Sequence, residues 1–301
     1  MLVLDPTSGA IKHATIRQLP DYLGPGDLLV LNDSRVLPAR LHGRRRDGGE
    51  AEVLLLRPVD GDRHRWEALI RPARRLAAGS QVRFDGSALA VAIDERHGET
   101  ATVRLNGVAD PLTEVRRIGE IPTPPYIRER LRDAERYQTV FARDEGSAAA
   151  PTAGLHFTPE LLDRLDVERV TLHVGLDTFR PVGEARLEDH RMHGERYSVA
   201  DAAWSRIEAA AHVLAVGTTT VRVLETLARG GPHSGRTDLF ITPGFEFRRT
   251  DALLTNFHLP RSTLLALVMA FAGVEETRRL YRVAVEERYR FYSFGDAMLI
   301  L

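Results

Sequence analysis

The apolar positions of this chain change rhythm along its length. Residues 2–4 read as an opening strand, ended by the turn Asp5-Pro6-Thr7-Ser8-Gly9. After Pro25-Gly26-Asp27, residues 28–31 are continuously apolar, which predicts a strand buried on both faces. It runs into the polar cluster Asn32-Asp33-Ser34-Arg35, and residues 37–41 resume an extended pattern. Between 44 and 117 five β-rich runs recur, at 51–56, 65–70, 81–84, 88–93 and 100–105, separated by turn residues such as Asp60-Gly61-Asp62 and Asp85-Gly86-Ser87. That spacing predicts a small antiparallel barrel or sandwich.

The second half alternates strands with helices. Strands are expected at 167–174, 213–216 and 238–241, with extended segments at 291–293 and 297–301. Helices are expected at 201–211, where Trp204, Ile207 and Ala211 share a face, at 219–228, at 262–272 and at 275–289. Pro122-Thr123-Pro124-Pro125 reads as a linker. The division expected is a main mixed domain of 1–43 and 118–301 carrying an inserted β-rich domain of 44–117.

Composition removes several classes. The absence of cysteine excludes disulfide scaffolds, thiolate metal sites and thiol nucleophiles. Lys12 is the sole lysine, so Schiff-base and P-loop chemistry are not expected. The longest apolar run, 264–272, falls far short of the roughly 18 residues of a membrane helix. No secretory signal is visible at the N-terminus, and the expectation is a cytoplasmic protein with no membrane association. The net charge of -1 conceals an arginine bias, because every basic residue except Lys12 is arginine. A codon habit of a GC-rich genome is the plain explanation of this bias, and arginine also suits phosphate recognition. Arg71, Arg74, Arg75 and Arg128 lie in the arginine clusters that would face nucleic-acid phosphates.

Five segments could carry chemistry. Gly217-Thr218-Thr219-Thr220 joins a buried strand to a helix, and threonine hydroxyls with free amides at a helix start favour an anion. One threonine would suffice as an ordinary cap. His156 lies just before a helix expected to begin at Pro159 with Thr158 as its cap, where the helix dipole disfavours imidazolium. His173 shares a strand face with Thr171 and falls late in its strand; a structural histidine is the plain alternative. His190, His193 and Glu195 imitate a metal site without the spacing of a helical zinc motif, and Glu195 could serve as a base. Thr255, Asn256 and His258 form a polar loop before a helix capped by Ser262 or Thr263. Together these suit an anionic or zwitterionic small molecule and proton transfer by a carboxylate or imidazole.

Long segments carry a closer likeness: 26–40, 151–158, 173–182, 216–222, 253–265 and 289–300, in order over almost the whole chain. In these the chain resembles the S-adenosylmethionine:tRNA ribosyltransferase-isomerase family of queuosine biosynthesis. The resemblance implies an α+β fold, with a main mixed domain built around a β-barrel, flanking helices and an inserted small antiparallel barrel. It implies transfer and isomerisation of the ribosyl moiety of S-adenosylmethionine onto 7-aminomethyl-7-deazaguanine in tRNA, giving epoxyqueuosine with loss of adenine and methionine. S-adenosylmethionine is then a substrate, with no prosthetic group and no metal, and the protein is expected to act as a monomer. Thr218, Thr219 and Thr220 would hold the methionine carboxylate. His156 and His173 would transfer protons, and Asp33 would partner the amine. Arg35, Arg40, Thr178, Arg180 and Arg222 would line the substrate site, and Asn256 and His258 would orient the nucleoside or base. The pattern usually has glycine where Asp177 stands. Rival readings are a non-catalytic RNA-binding paralogue, an S-adenosylmethionine-dependent enzyme with another acceptor, and a metal hydrolase using His190 and His193.

Overall fold

A computed structural model describes residues 1–98, 100–124, 126–127, 133–175, 192 and 194–301. The chain enters through the antiparallel pair β1 (Leu2–Asp5) and β2 (Ala10–His13) and then forms β3 (Asp27–Asn32), buried at every residue but the first. β4 (Ser34–Val36) follows. Next come β5 (Arg40–Arg45), β6 (Glu50–Val59), β7 (Asp62–Arg71), β8 (Gln81–Arg83), β9 (Ala90–His97) and β10 (Thr100–Asn106). These six close into an antiparallel barrel in the order β10-β7-β6-β5-β8-β9. Val53 and Leu55, Ala68 and Ile70, Val91 and Ile93, and Val103 and Leu105 alternate along their strands and are all buried, the period of two that a packed barrel interior requires. Five strands are legible in the sequence; the sixth, β5, reads Arg-Leu-His-Gly-Arg-Arg and has little alternation to betray it. Helix α1 (Pro111–Ile118) is capped by Asp110, whose carboxylate accepts from the amides of Leu112 and Thr113.

The rest of the chain supplies β11 (Asp144–Ser147), α2 (Pro159–Leu162), β12 (Val167–Leu172), β13 (Glu195–Ser198), α3 (Asp201–Ala209), β14 (His212–Val216) and α4 (Thr218–Leu227). β15 (Ser234–Thr237), β16 (Ala252–Asn256), α5 (Thr263–Ala272), α6 (Val274–Glu286) and β17 (Ala297–Ile300) complete it. Nine strands form one sheet in the order β15-β13-β12-β3-β14-β16-β17-β1-β2. β3 is parallel to both β12 and β14, and β14 is parallel to β16. The carboxyl ends of these four strands therefore share one edge. One face of the sheet packs Leu29, Leu31, Leu214, Val216, Leu254 and Leu299 against Phe141, Phe157 and Leu161. Each such side chain contributes roughly 1.5–3 kcal/mol on burial.

The chain divides into two compact units. One comprises Met1–Arg35, Tyr137–Asp144 and Ala150–Leu301 and holds the nine-stranded sheet; the other comprises Val36–Arg136 and Glu145–Ala149 and holds the closed barrel. The α+β class is thus as expected. The barrel implied for the larger unit takes the form, among the described residues, of a nine-stranded mixed sheet with β15 and β2 at its ends. Three strand expectations need correction. The strand expected at 167–174 ends at Leu172, so His173 lies just past it. The strand expected at 238–241 lies at Ser234–Thr237 instead, where its residues pair with β13, and beyond it the Leu239 carbonyl accepts from the Arg222 side chain. Residues 291–293 are not extended: Tyr292 has φ +73° and its amide donates to the Phe257 carbonyl. No helix of the described residues is long and apolar enough to cross a membrane.

Candidate functional site

The shared edge begins where β3 ends. Asn32 is buried, and its Oδ1 accepts from the amides of Leu172, at 2.9 Å, and Ser34, at 3.1 Å. Its Nδ2 donates to the Leu172 carbonyl at 3.0 Å and to Thr219 Oγ1 at 3.2 Å. One amide therefore ties the end of β12 to the start of α4. Sequence reasoning did not single out Asn32; the signal was a side-chain amide directly after a doubly buried apolar run.

Asp33 is fully buried. Thr171 Oγ1 donates to its Oδ1 at 2.6 Å, and Arg143 Nη2 lies 2.9 Å from its Oδ2. Burial pushes its carboxyl above the ordinary aspartate value, against the lowering effect of Thr171 and Arg143. The Asp33 carbonyl accepts from the amides of Arg143 and Asp144. Asp144 in turn sets its Oδ1 3.6 Å from His173 Nε2. Thr171 on β12 and His173, one residue past its end, both face these groups, as their two-residue spacing in extended backbone allows. The His173 side chain is 11% exposed and its Nδ1 is buried without a hydrogen-bond partner. Burial, reinforced by the charge of Arg196, brings its pKa down to about 4.

Gly217 turns β14 into α4 with φ +87°, a conformation that side chains resist. It is itself the N-cap, so no side chain caps the helix. The threonines are therefore not ordinary caps. Thr220 Oγ1 donates to the Val216 carbonyl at 2.7 Å, and Thr219 accepts from Asn32. Thr218 and Thr219 line a small cavity with Phe240 and Thr263. The first-turn amides and the helix dipole give this spot an affinity for negative charge. Arg222, one turn on, is 4% exposed and uses all three guanidinium nitrogens: it pairs with Glu195 and donates to the carbonyls of Leu239 and Thr237. Glu195 also accepts from the Gly175 amide at 2.7 Å, so it is held as well.

Asn256, at the end of β16, meets the 3-10 turn Thr152–His156. Its Nδ2 lies 3.2 Å from the Tyr292 carbonyl and 3.1 Å from His156 Nε2, and its Oδ1 accepts from Thr152 Oγ1. A carbonyl accepts only, so the amide nitrogen is the atom facing it and His156 Nε2 is an acceptor. His156 is neutral, with a pKa near 4, as the sequence suggested. The cause is burial rather than the dipole of the helix beyond it; α2 has only four residues, capped as expected by Thr158. His258 Nε2 lies 3.1 Å from Thr255 Oγ1, and burial brings it down to about 3. Its amide donates to Tyr281 Oη at 2.8 Å.

Arg35 is half-buried on β4. Arg40 belongs to the barrel unit, where it lies 3.9 Å from Glu52. Arg71, Arg74 and Arg75 are exposed on that unit, at the end of β7 and in the turn after it. Arg128, Asp177, Thr178, Arg180, His190 and His193 lie outside the described residues. Among the described residues no group of three potential ligand side chains could hold a metal ion.

A sheet whose parallel strands end together in buried amide, carboxylate and imidazole groups, beside an uncapped helix start, has the architecture in which α/β proteins bind polar small molecules at the strand ends. The chain belongs to the queuosine biosynthesis protein family, whose sequence model matches residues 1–300. It is 51% identical to the S-adenosylmethionine:tRNA ribosyltransferase-isomerase of Symbiobacterium thermophilum, over 100% of this chain and 92% of that protein. It is 52% identical to the enzyme of the same name from Rubrobacter xylanophilus, over 100% and 90%. Among solved structures it is similar to the S-adenosylmethionine tRNA ribosyltransferase of Thermotoga maritima, with a TM-score of 0.54 and 37% identity over 100% of this chain and 91% of that one.

Proposed function

We propose that this protein is an S-adenosylmethionine:tRNA ribosyltransferase-isomerase. It transfers and isomerises the ribosyl moiety of S-adenosylmethionine onto 7-aminomethyl-7-deazaguanine in tRNA, and adenine and methionine leave. Full-length identity near one half with enzymes of that name supports the reaction. The observation that carries the site is the Asn32 amide, which bridges the start of α4 to the end of β12 next to His173. An anion-favouring spot and a buried neutral base are thereby held in one hydrogen-bonded frame.

In this reading the first turn of α4, with Thr218 and Thr219, takes the methionine carboxylate. Thr220 supports the turn through Val216. His173 accepts the proton lost beside the sulfonium, a step its neutral imidazole suits at pH 7. Asp33, buried near it, receives the acceptor amine. Asn256, held by Thr152 and Tyr292, orients the nucleoside with His156 and His258. Arg222 shapes the site through its pair with Glu195. Incubation with S-adenosylmethionine and tRNA bearing the aminomethyl base tests the reading. It predicts release of adenine and methionine together with a modified nucleoside. Tight tRNA binding without turnover would instead indicate the binding paralogue, and turnover on another acceptor would indicate a different S-adenosylmethionine enzyme.

A further inference from the structure

Beyond His173 the same sheet face continues across β13 and β15. Their antiparallel register sets Arg196 directly opposite Arg236 and Ser198 opposite Ser234. All four side chains are exposed, while the alternate positions Glu195, Tyr197 and Thr237 are buried on the other face. The His173 amide donates to the Arg196 carbonyl at 2.9 Å, so the arginine pair begins one strand away from the imidazole. A cavity of about 350 Å³ spans His173, the serines and both arginines, a volume in the range of small-ligand sites.

Like charges directly opposed on neighbouring strands repel, with Cβ atoms only about 5 Å apart. No carboxylate among the described residues pairs with Arg196 or Arg236; Arg236 donates to the Gly194 carbonyl. Two guanidinium forks at that separation, with two hydroxyls one register step further, match the oxygens of a single phosphate. We propose that Arg196 and Arg236 clamp one backbone phosphodiester of the RNA acceptor, next to the nucleotide presented to His173. This rests on the ribosyl-transfer reading for the identity of the RNA. It adds what that reading lacks, a contact that lets the site take a nucleotide within a strand rather than a free base.

The test uses the full chain and a stem-loop RNA carrying the aminomethyl base, with Arg196→Gln and Arg236→Gln and the matching lysine variants. Dissociation constants are measured across a salt series, alongside KM for S-adenosylmethionine and thermal melting. Each glutamine variant is expected to weaken RNA binding several-fold at low salt and to reduce the slope of log affinity against log salt by about 1. KM for S-adenosylmethionine should stay at the wild-type value, melting should hold or rise as the repulsion between the arginines is relieved, and the lysine variants should retain the slope. Unchanged RNA affinity and slope would overturn the clamp. So would equal losses in RNA and S-adenosylmethionine binding, or inorganic phosphate binding that depends on the arginines while RNA binding does not. Wild-type protein that binds RNA with the expected slope but releases no adenine would retire the ribosyl-transfer reading and leave the clamp standing. Normal turnover with unaltered slopes in the variants would retire the clamp alone.

Discussion

His156 and His173 lie in the same unit, and burial lowers both to a pKa of about 4. Their polar surroundings differ. The His156 Nε2 lone pair is taken by Asn256, an amide fixed on its other sides by Tyr292 and Thr152. His173 has a carboxylate 3.6 Å from Nε2 and a buried Nδ1 with no partner. Burial makes both imidazoles neutral, and each has a carboxylate that favours its protonated form, Asp296 for His156 and Asp144 for His173; they differ in that Asn256 engages the Nε2 lone pair of His156, whereas the buried Nδ1 of His173 has no hydrogen-bond partner. A depressed pKa alone therefore does not choose the base, and the hydrogen-bond inventory does.

The largest expected effect tests that choice directly. His173→Gln should lower kcat about 10²–10⁴-fold, the range for losing a general base. His156→Gln should cost less than about tenfold in kcat, because a glutamine can still accept from Asn256. Steady-state kinetics on both variants decide it, and equal losses would break the distinction. The wild-type acid limb of kcat/KM should fall near pH 4, where His173 protonates, and not near 6.5.

Stability should treat the two histidines alike. In each the folded pKa lies below the unfolded value, so the unfolded chain takes up a proton near pH 6.5 and the folded protein does not until about 4. Stability is thus complete above about 6.5 and falls as pH drops to 4, by up to about 3 kcal/mol per histidine. Urea midpoints at pH 7 and pH 4.5 should show a smaller drop in either glutamine variant than in the wild type. A drop relieved by only one of them would mean that the other imidazole already takes up its proton in the folded protein at pH 4.5.

Thr171→Val acts on the His173 side alone. It removes the hydroxyl 2.6 Å from a buried carboxylate, at a cost of about 1–3 kcal/mol near pH 7. Asp33 already titrates above its ordinary value, so folding favours its protonated form. The penalty should therefore shrink as pH falls through that raised pKa. A pH-independent loss in the urea series would show that Thr171 supports packing and not the charge on Asp33.

The same contrast marks what the sequence could reveal. Continuous apolar runs made β3 and β14 legible, because such strands must be buried on both sides. β13 and β16 escaped notice: they are four and five residues long, and Glu195 and Asn256 are buried polar positions whose partners are distant in sequence. β15 was placed four residues late because Leu239-Phe240-Ile241 looks like a strand core, while Arg222 claims carbonyls at 237 and 239. The edge site was visible as polar clusters at strand ends. Its wiring was not, since Asn32 meets Thr219 across 187 residues.

The smallest effect separates two adjacent threonines. Thr219 Oγ1 accepts from Asn32 and faces the small cavity at the start of α4, whereas Thr220 Oγ1 donates to Val216 and is fully buried. If the first turn of α4 holds the methionine carboxylate, Thr219→Ala should weaken S-adenosylmethionine binding by about 1 kcal/mol, roughly fivefold in Kd, and should also lower melting, because the buried Asn32 amide loses this acceptor. Thr220→Ala removes a hydrogen bond internal to the protein, so it should lower melting while leaving Kd near the wild-type value. Calorimetric titration of both variants separates the two roles. The reverse pattern, with Thr220→Ala losing affinity and Thr219→Ala losing only stability, would move the carboxylate away from the face that Asn32 connects to His173, and with it the reason for placing donor and base in one frame.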